Sequence, residues 1–174
     1  MIRPNEVKKK ALGLESQTIK FRSFLKNRAD YDELDAQFKA LHDEIFENYD
    51  CSKCANCCKT FGIVINDEDT KRMADFLGMT EVDFCKHYLT WTDDDDDDGE
   101  KQRIFKSEPC QFLDDDGRCR IQEVKPEICR AFPHTDNPDR LMSMYSVIAS
   151  AEICPVVFEI LERLKVIYHF RNRN

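Results

Sequence analysis

Apolar residues at Leu34, Phe38, Leu41, Ile45 and Tyr49 recur at steps of four and three, the spacing that lines one face of a helix. They predict a helix over residues 31–49, with Asp30 as its N-cap. Met73, Phe76 and Leu77 mark a second helix, capped by Asn66 or Asp67 and stopped by Gly78. Thr80 opens a third, with Glu81 and Asp83 in a first turn that favours negative charge. Val82, Phe84, Cys85, Tyr88 and Leu89 are its apolar positions. A last helix starts at Pro155 and lines Val157, Leu161, Leu164 and Tyr168 along one face, widened by Phe158 and Ile160.

Between these helices the pattern shortens. Residues 61–65 read as a strand, and the apolar pieces 110–113 and 119–121 flank Asp114-Asp115-Asp116-Gly117-Arg118, a hairpin signal. Pro126 sits at the start of a short helix carrying Cys129, which Pro133 ends. A polar loop over 134–140 then precedes an apolar stretch over 141–151. Residues 1–29 are polar and basic and read as an arm or short helix, with Phe21, Phe24 and Leu25 as docking points. Residues 171–174 read as a frayed tail. The fold these elements predict is α+β and predominantly helical: helices around a cysteine-rich metal centre with a small β-hairpin, as one domain over 30–170.

Composition narrows the function. The chain has 174 residues, a net charge of −8 and 41% hydrophobic residues. Its basic residues are scattered apart from short clusters at the ends, so no basic face for nucleic acid is expected. No apolar stretch approaches the roughly 18 residues of a membrane span. No apolar run follows Lys8-Lys9-Lys10 as it would in a signal peptide. A cytoplasmic protein, bound neither to membrane nor to nucleic acid, is expected. Nine cysteines then carry weight: the odd count and missing export signal argue against a disulfide framework and for metal or thiol chemistry.

Cys51, Cys54, Cys57 and Cys58 form the densest cluster. On a continuous helix their thiols fall within an arc of about 120°. A knuckle-like turn would also bring Cys51 and Cys54 to one ion, and the spacing leaves both geometries open. Adjacent side chains at Cys57 and Cys58 are expected to diverge, which points to more than one metal. Cys110 and Cys119 are expected to face each other across the hairpin, with Cys129 and Cys154 at helix starts. The eight suffice for two four-coordinate sites or one multinuclear site. A single tetrahedral zinc with several inert thiols is the plainer alternative. Thiolate-rich sites select zinc, iron–sulfur or Cu(I), and Cys-x2-Cys-x2-Cys also occurs in ferredoxin-type cluster binding. Cys85 reads as a small buried hydrophobe.

Other motifs are weaker. The acidic run 93–98 reads as a solvated loop; as a calcium loop begun at Asp94 it would place Phe105 where the bidentate Glu belongs. His134 is a candidate nitrogen ligand, set against a loop histidine with its tip in water. His42, His87 and His169 read as surface or edge residues. Arg118, Arg120 and Arg130 flank candidate ligands and are set between donation to metal-bound sulfur and ordinary surface pairing. No Gly-rich phosphate loop, serine nucleophile elbow or catalytic carboxylate pair is readable.

The ordered motifs Cys51-x2-Cys54-x2-Cys57-Cys58, Cys110-x-Phe-Leu, Asp-Gly-Arg-Cys119-x-Ile, Lys125-Pro126-x2-Cys129-Arg130-x-Phe-Pro133 and Cys154-Pro155 resemble the YkgJ-type cysteine-cluster family, a zinc- or iron-chelating domain with eight cysteines. The resemblance covers about residues 51–155. It implies that Cys51, Cys54, Cys57, Cys58, Cys110, Cys119, Cys129 and Cys154 are the ligands and leaves Cys85 aside. The family's usual Gly is Ala55 here, and its usual Arg is Lys125. A related motif occurs in a larger flagellin lysine methylase, but no S-adenosylmethionine site is readable in this chain. Four functions follow as expectations: a metal-binding protein; an iron or iron–sulfur enzyme in redox chemistry or protein modification; metal handling or sensing; and a scaffold for a protein partner.

Overall fold

A computed structural model describes residues 1–60, 62–92 and 101–171. In chain order the helices are α1 (Pro4–Arg28), α2 (Tyr31–Phe46), α3 (Cys51–Cys54), α4 (Asn56–Thr60), α5 (Asp67–Phe76), α6 (Glu81–Tyr88), α7 (Glu127–Ala131), α8 (Met144–Ser150) and α9 (Pro155–Ile167). Strands β1 (Leu89–Trp91) and β2 (Arg103–Phe105) separate α6 from α7, and a 3-10 turn at Gln122–Val124 precedes α7. The fold is predominantly helical α+β, as the periodicities imply. No described helix is long and apolar enough to cross a membrane. The chain forms two compact units, Met1–Asp50 with Pro133–Asn174, and Cys51–Phe132.

The first unit is helical. Pro4 opens α1 in its first turn beside Glu6, while Lys26 and Arg28 close it, each charge suited to its end of the dipole. Over 25 residues α1 buries Val7, Ala11, Thr18, Phe21 and Leu25, a longer element than the arm or short helix read there. The Asp30 carboxylate accepts from Glu33 N at 3.0 Å and starts α2. Leu34, Phe38, Leu41 and Ile45 are buried, so the apolar stripe is the packed face; Tyr49 lies past the helix end. α9 begins on Pro155 and buries Val156, Val157, Ile160, Leu161 and Leu164. Lys165 Nζ is buried among them and donates to Thr18 Oγ1 at 2.9 Å and to Glu162 Oε1 at 2.5 Å. These bonds supply the partners that a buried ammonium requires.

The second unit is built on a small core of Ile63, Ile65, Met73, Ala74, Phe84, Leu89, Phe105, Phe112 and Ile121. Its helix signals are local and fall where the residues place them. Asn66 accepts from Asp69 N at 2.7 Å, Gly78 takes φ +67° after α5, and Thr80 accepts from Asp83 N at 3.1 Å. β1 and β2 pair antiparallel with Leu89 opposite Phe105 and Trp91 opposite Arg103. Ile63 and Ile65 are buried while Val64 is exposed, the alternation of a half-buried strand. Val64 bridges to Ile104, and Ile65 N donates to Arg103 O at 2.8 Å. The regular strand pair therefore brackets the acidic run. That run, its calcium-loop reading and Phe61 lie outside the described residues.

Phe84 is fully buried, 5.1 Å from the Tyr88 ring and stacked at 6.5 Å on Phe112, next to the cysteine-bearing turn. Phe84→Ala is expected to cost about 3–5 kcal/mol of unfolding free energy, measured by urea denaturation.

Candidate metal centre

The first four cysteines do not sit on one helix. Ala55 takes φ +48° and divides the segment into α3, carrying Cys51 and Cys54, and α4, carrying Cys57 and Cys58. The continuous-helix geometry is thereby corrected, since a left-handed residue ends the helical phase on which the common arc depended. The Ala55 methyl is buried and its N donates to Cys51 O at 2.8 Å. A glycine would reach this conformation without the Cβ penalty that Ala55 bears.

Two backbone contacts assemble the remaining pieces. Cys110 N donates to Cys58 O at 2.8 Å and joins α4 to the segment leading into the turn. That turn closes through Gly117 N to Asp114 O at 2.9 Å and Asp114 N to Arg118 O at 2.8 Å. Gly117 has φ +83°, and a Cβ there would stand 1.9 Å from Ser52 O. The turn thus lies against the α3 backbone, and only glycine fits. The hairpin register also differs from expectation. Cys119 pairs with Leu113, not Cys110, because the tight Asp114–Arg118 closure leaves Cys110 beyond the paired residues.

α7 delivers Cys129. Its first N–H, on Glu127, points at the carboxylate of Asp69 from 3.3 and 3.4 Å. Asp69 is almost wholly buried and is also bonded to Arg72. Arg72 Nη2 in turn donates to Lys125 O at 3.1 Å. A carboxylate on α5 thus anchors the start of the helix that carries a thiol, aided by the helix dipole.

Cys57, Cys58, Cys110 and Cys129 line one cavity of about 40 Å3, together with Lys125 and the apolar side chains of Ile63, Phe105, Ile128 and Phe132. The volume exceeds the roughly 10–15 Å3 that a single water molecule needs. Cys57 and Cys58 are hydrogen-bonded side chain to side chain, so the adjacent pair converges instead of diverging. That bond, helped by the charges of Lys125 and Lys59 and opposed by burial, holds the Cys58 thiol down to about 6. Burial pushes Cys129 up to about 12, with the Cys58 charge adding to the rise and Lys125 opposing it. Burial also raises Cys110 and Cys119, which both feel the Cys58 charge. One thiolate therefore makes its neighbours harder to ionise. A cation among them reverses that relation, and soft sulfur donors select a thiophilic one. Among the described residues, no three His, Cys, Asp or Glu side chains form a group that holds a metal ion as the side chains stand. Cys57, Cys58, Cys110 and Cys129 line the cavity without forming a ligand set as they stand.

The other candidates take several places. Cys51 is exposed and Cys54 half-buried, both on α3. Cys154 is buried at the N-cap of α9 in the first unit. Cys85 packs on the second unit's core, with Arg103 Nη1 3.6 Å from its Sγ. His134 has φ +59°, and its carbonyl accepts from Arg140 Nη1 at 2.5 Å. His42 Nδ1 is 2.8 Å from Thr135 Oγ1, and His87 Nδ1 is 2.8 Å from Asp83 O. Arg118 pairs with Asp116, Arg120 with Asp114 and Arg130 with Glu127, and the Arg120 charge also acts on Cys110. Sequence reasoning missed Lys125, whose ammonium charge acts on Cys58, Cys119 and Cys129. Its one signal was the position it takes in the Lys-Pro-x2-Cys motif.

Two measurements check this geometry. Gly117→Ala, forced against Ser52 O at positive φ, is expected to lose about 2–5 kcal/mol and to shift the thermal midpoint down. In metal-free protein, Cys58 should alkylate with a midpoint near pH 6, following its thiolate fraction, while Cys129 stays unreactive through neutral pH. Peptide mass mapping after pulsed iodoacetamide reads both.

No curated protein and no solved structure matches this chain. The profile of the CxxCxxCC family, described as "Putative zinc- or iron-chelating domain", matches residues 50–155. That span contains every cysteine of the cavity and well over half of the chain, and the chain belongs to the CxxCxxCC family.

Proposed function

We propose that the protein holds a zinc or iron centre, mononuclear or as an iron–sulfur cluster, through thiolates drawn from Cys51, Cys54, Cys57, Cys58, Cys110, Cys119, Cys129 and Cys154. The observation that carries the reading is the shared cavity of Cys57, Cys58, Cys110 and Cys129, three chain segments meeting at one small space. Cys119 adds a fifth sulfur whose charge is felt by Cys110 and Cys129. Five thiols exceed the four that one tetrahedral ion takes, which favours a centre of more than one metal atom. The converging sulfurs of Cys57 and Cys58 suit a shared or bridged metal.

Bound metal would supply a cation that ionises the buried thiols and ties α4, the Asp114–Gly117 turn and α7 together. In such a centre Cys58, whose thiol is held low by its hydrogen bond from Cys57, would be one of the donors. Cys110 and Cys119 bring sulfur from either side of the turn, and Cys129 closes the set from α7. Binding energy then adds to the folding of a unit with a modest core.

The test is purification without oxygen, followed by metal and acid-labile sulfide analysis and a visible spectrum. Zinc without sulfide in a colourless protein assigns a zinc thiolate centre; iron with sulfide in a brown protein assigns a cluster. Protein that carries neither metal, and takes up neither after reduction, overturns the reading. Cys57→Ser and Cys58→Ser are each expected to lower the bound metal, and unchanged stoichiometry in both removes the pair from the site.

A further inference from the structure

We propose that Lys125 is the counter-ion of the thiolate centre: its ammonium offsets the negative charge on metal-bound sulfur and so raises the affinity of the site for its metal. The inference rests on the metal-binding reading above and names a residue that acts on the ligands without being one.

Placement carries the argument. Lys125 is half-buried and lines the same cavity as the four thiols, whose other walls are Ile63, Phe105, Ile128 and Phe132. Apolar walls keep water from screening a charge, so an ammonium there acts on sulfur more strongly than one at the open surface. The backbone from which the side chain springs is held twice: Lys125 O accepts from Arg72 Nη2 at 3.1 Å and from Arg130 Nη2 at 3.2 Å. Pro126, buried, follows it and fixes the chain direction into α7. Asp69 then holds Arg72 and the Glu127 N–H, so α5, the Lys125 backbone and the start of α7 form one connected set.

The other cations reach fewer of the thiols. Arg118 and Arg130 engage Asp116 and Glu127, and Arg120 pairs with Asp114 while its charge also acts on Cys110. Lys59 is exposed, donates to Cys54 O at 3.4 Å, and its charge acts on Cys58. Lys125 acts on Cys58, Cys119 and Cys129, which lie on three different segments. Several thiolates around one metal accumulate excess negative charge. A cation fixed beside them offsets it without occupying a coordination position, as hydrogen-bond partners of ligands do at other metal sites.

The test uses the full chain with Zn2+ as probe, its affinity read by competition with a chromophoric chelator at neutral pH. Sulfur-to-cobalt charge-transfer bands of the Co2+ form give a second readout. Lys125→Met, which keeps the apolar stem, is expected to weaken Zn2+ binding by about 10–100-fold with the Co2+ bands retained. Lys125→Arg, which keeps the charge, should restore most of the affinity, and Lys59→Met should change it little. Lys125→Gln is the second neutral variant, and circular dichroism confirms that each variant folds. Wild-type affinity in Lys125→Met and Lys125→Gln overturns the proposal, as does a loss in Lys125→Arg as deep as in Lys125→Met. Cys58→Ser and Cys129→Ser run in parallel. If they lose Zn2+ while the neutral Lys125 variants do not, the counter-ion role alone falls. If they bind Zn2+ as wild type does, the metal-binding reading falls and this role with it.

Discussion

The cysteine-bearing unit depends on the contact between Gly117 and the carbonyl of Ser52. A residue with a side chain cannot stand there, because its Cβ would lie 1.9 Å from that oxygen. The contact places the Asp114–Gly117 turn against α3, and the Cys110 N–H reaches the Cys58 carbonyl from the same segment. With both joined, residues on either side of the turn meet α4. Among the described residues the apolar core of the unit gathers Ile63, Phe84, Phe105, Phe112 and their neighbours, and Cys110, Cys119 and Cys129 pack against it.

Charge follows from that backbone arrangement. Thiols brought together in a half-buried space cannot all ionise: Cys58 does so first, and Cys110, Cys119 and Cys129 are harder to ionise for its presence. A bound cation would favour the ionised form of each of these thiols. Lys125 supplies part of the opposite charge from a fixed backbone position, with Asp69 and Arg72 holding that position from α5. Fold and chemistry are linked here because Asp69 on α5, 58 residues before Glu127 in sequence, orients the approach to α7.

What was legible depended on how local the signal was. The α2 stripe and its Asp30 cap, the Asn66 and Thr80 caps, Gly78 after α5 and Pro155 before α9 are each decided within a turn or two of chain, and each falls where the residues place it. α1 was less legible, because its buried face is carried partly by Ala11 and Thr18, residues that raise no apolar stripe. β1 and β2 carry no local signal, because they pair across the acidic run and Leu89 also continues the helical pattern of α6. The Asp-Gly turn was found, but its register was not. A single residue at the closure decides which side chain faces Cys119.

The sequence by itself determined the chemistry of the site: soft sulfur donors in an ordered set of motifs, on a predominantly helical frame. Residue type and spacing suffice for that, since ligand softness belongs to the side chain and not to the fold. Tertiary structure alone decided which thiols share a space, that Cys57 and Cys58 converge, and that Lys125 lines the cavity with them. The reason is physical: a left-handed Ala55 redirects the chain, Gly117 admits a close backbone approach, and Asp69 anchors a helix start. Gly117 and Asp69 act between segments that are distant in sequence, where periodicity and local propensity carry no information, and Ala55 takes a left-handed conformation that an alanine does not announce.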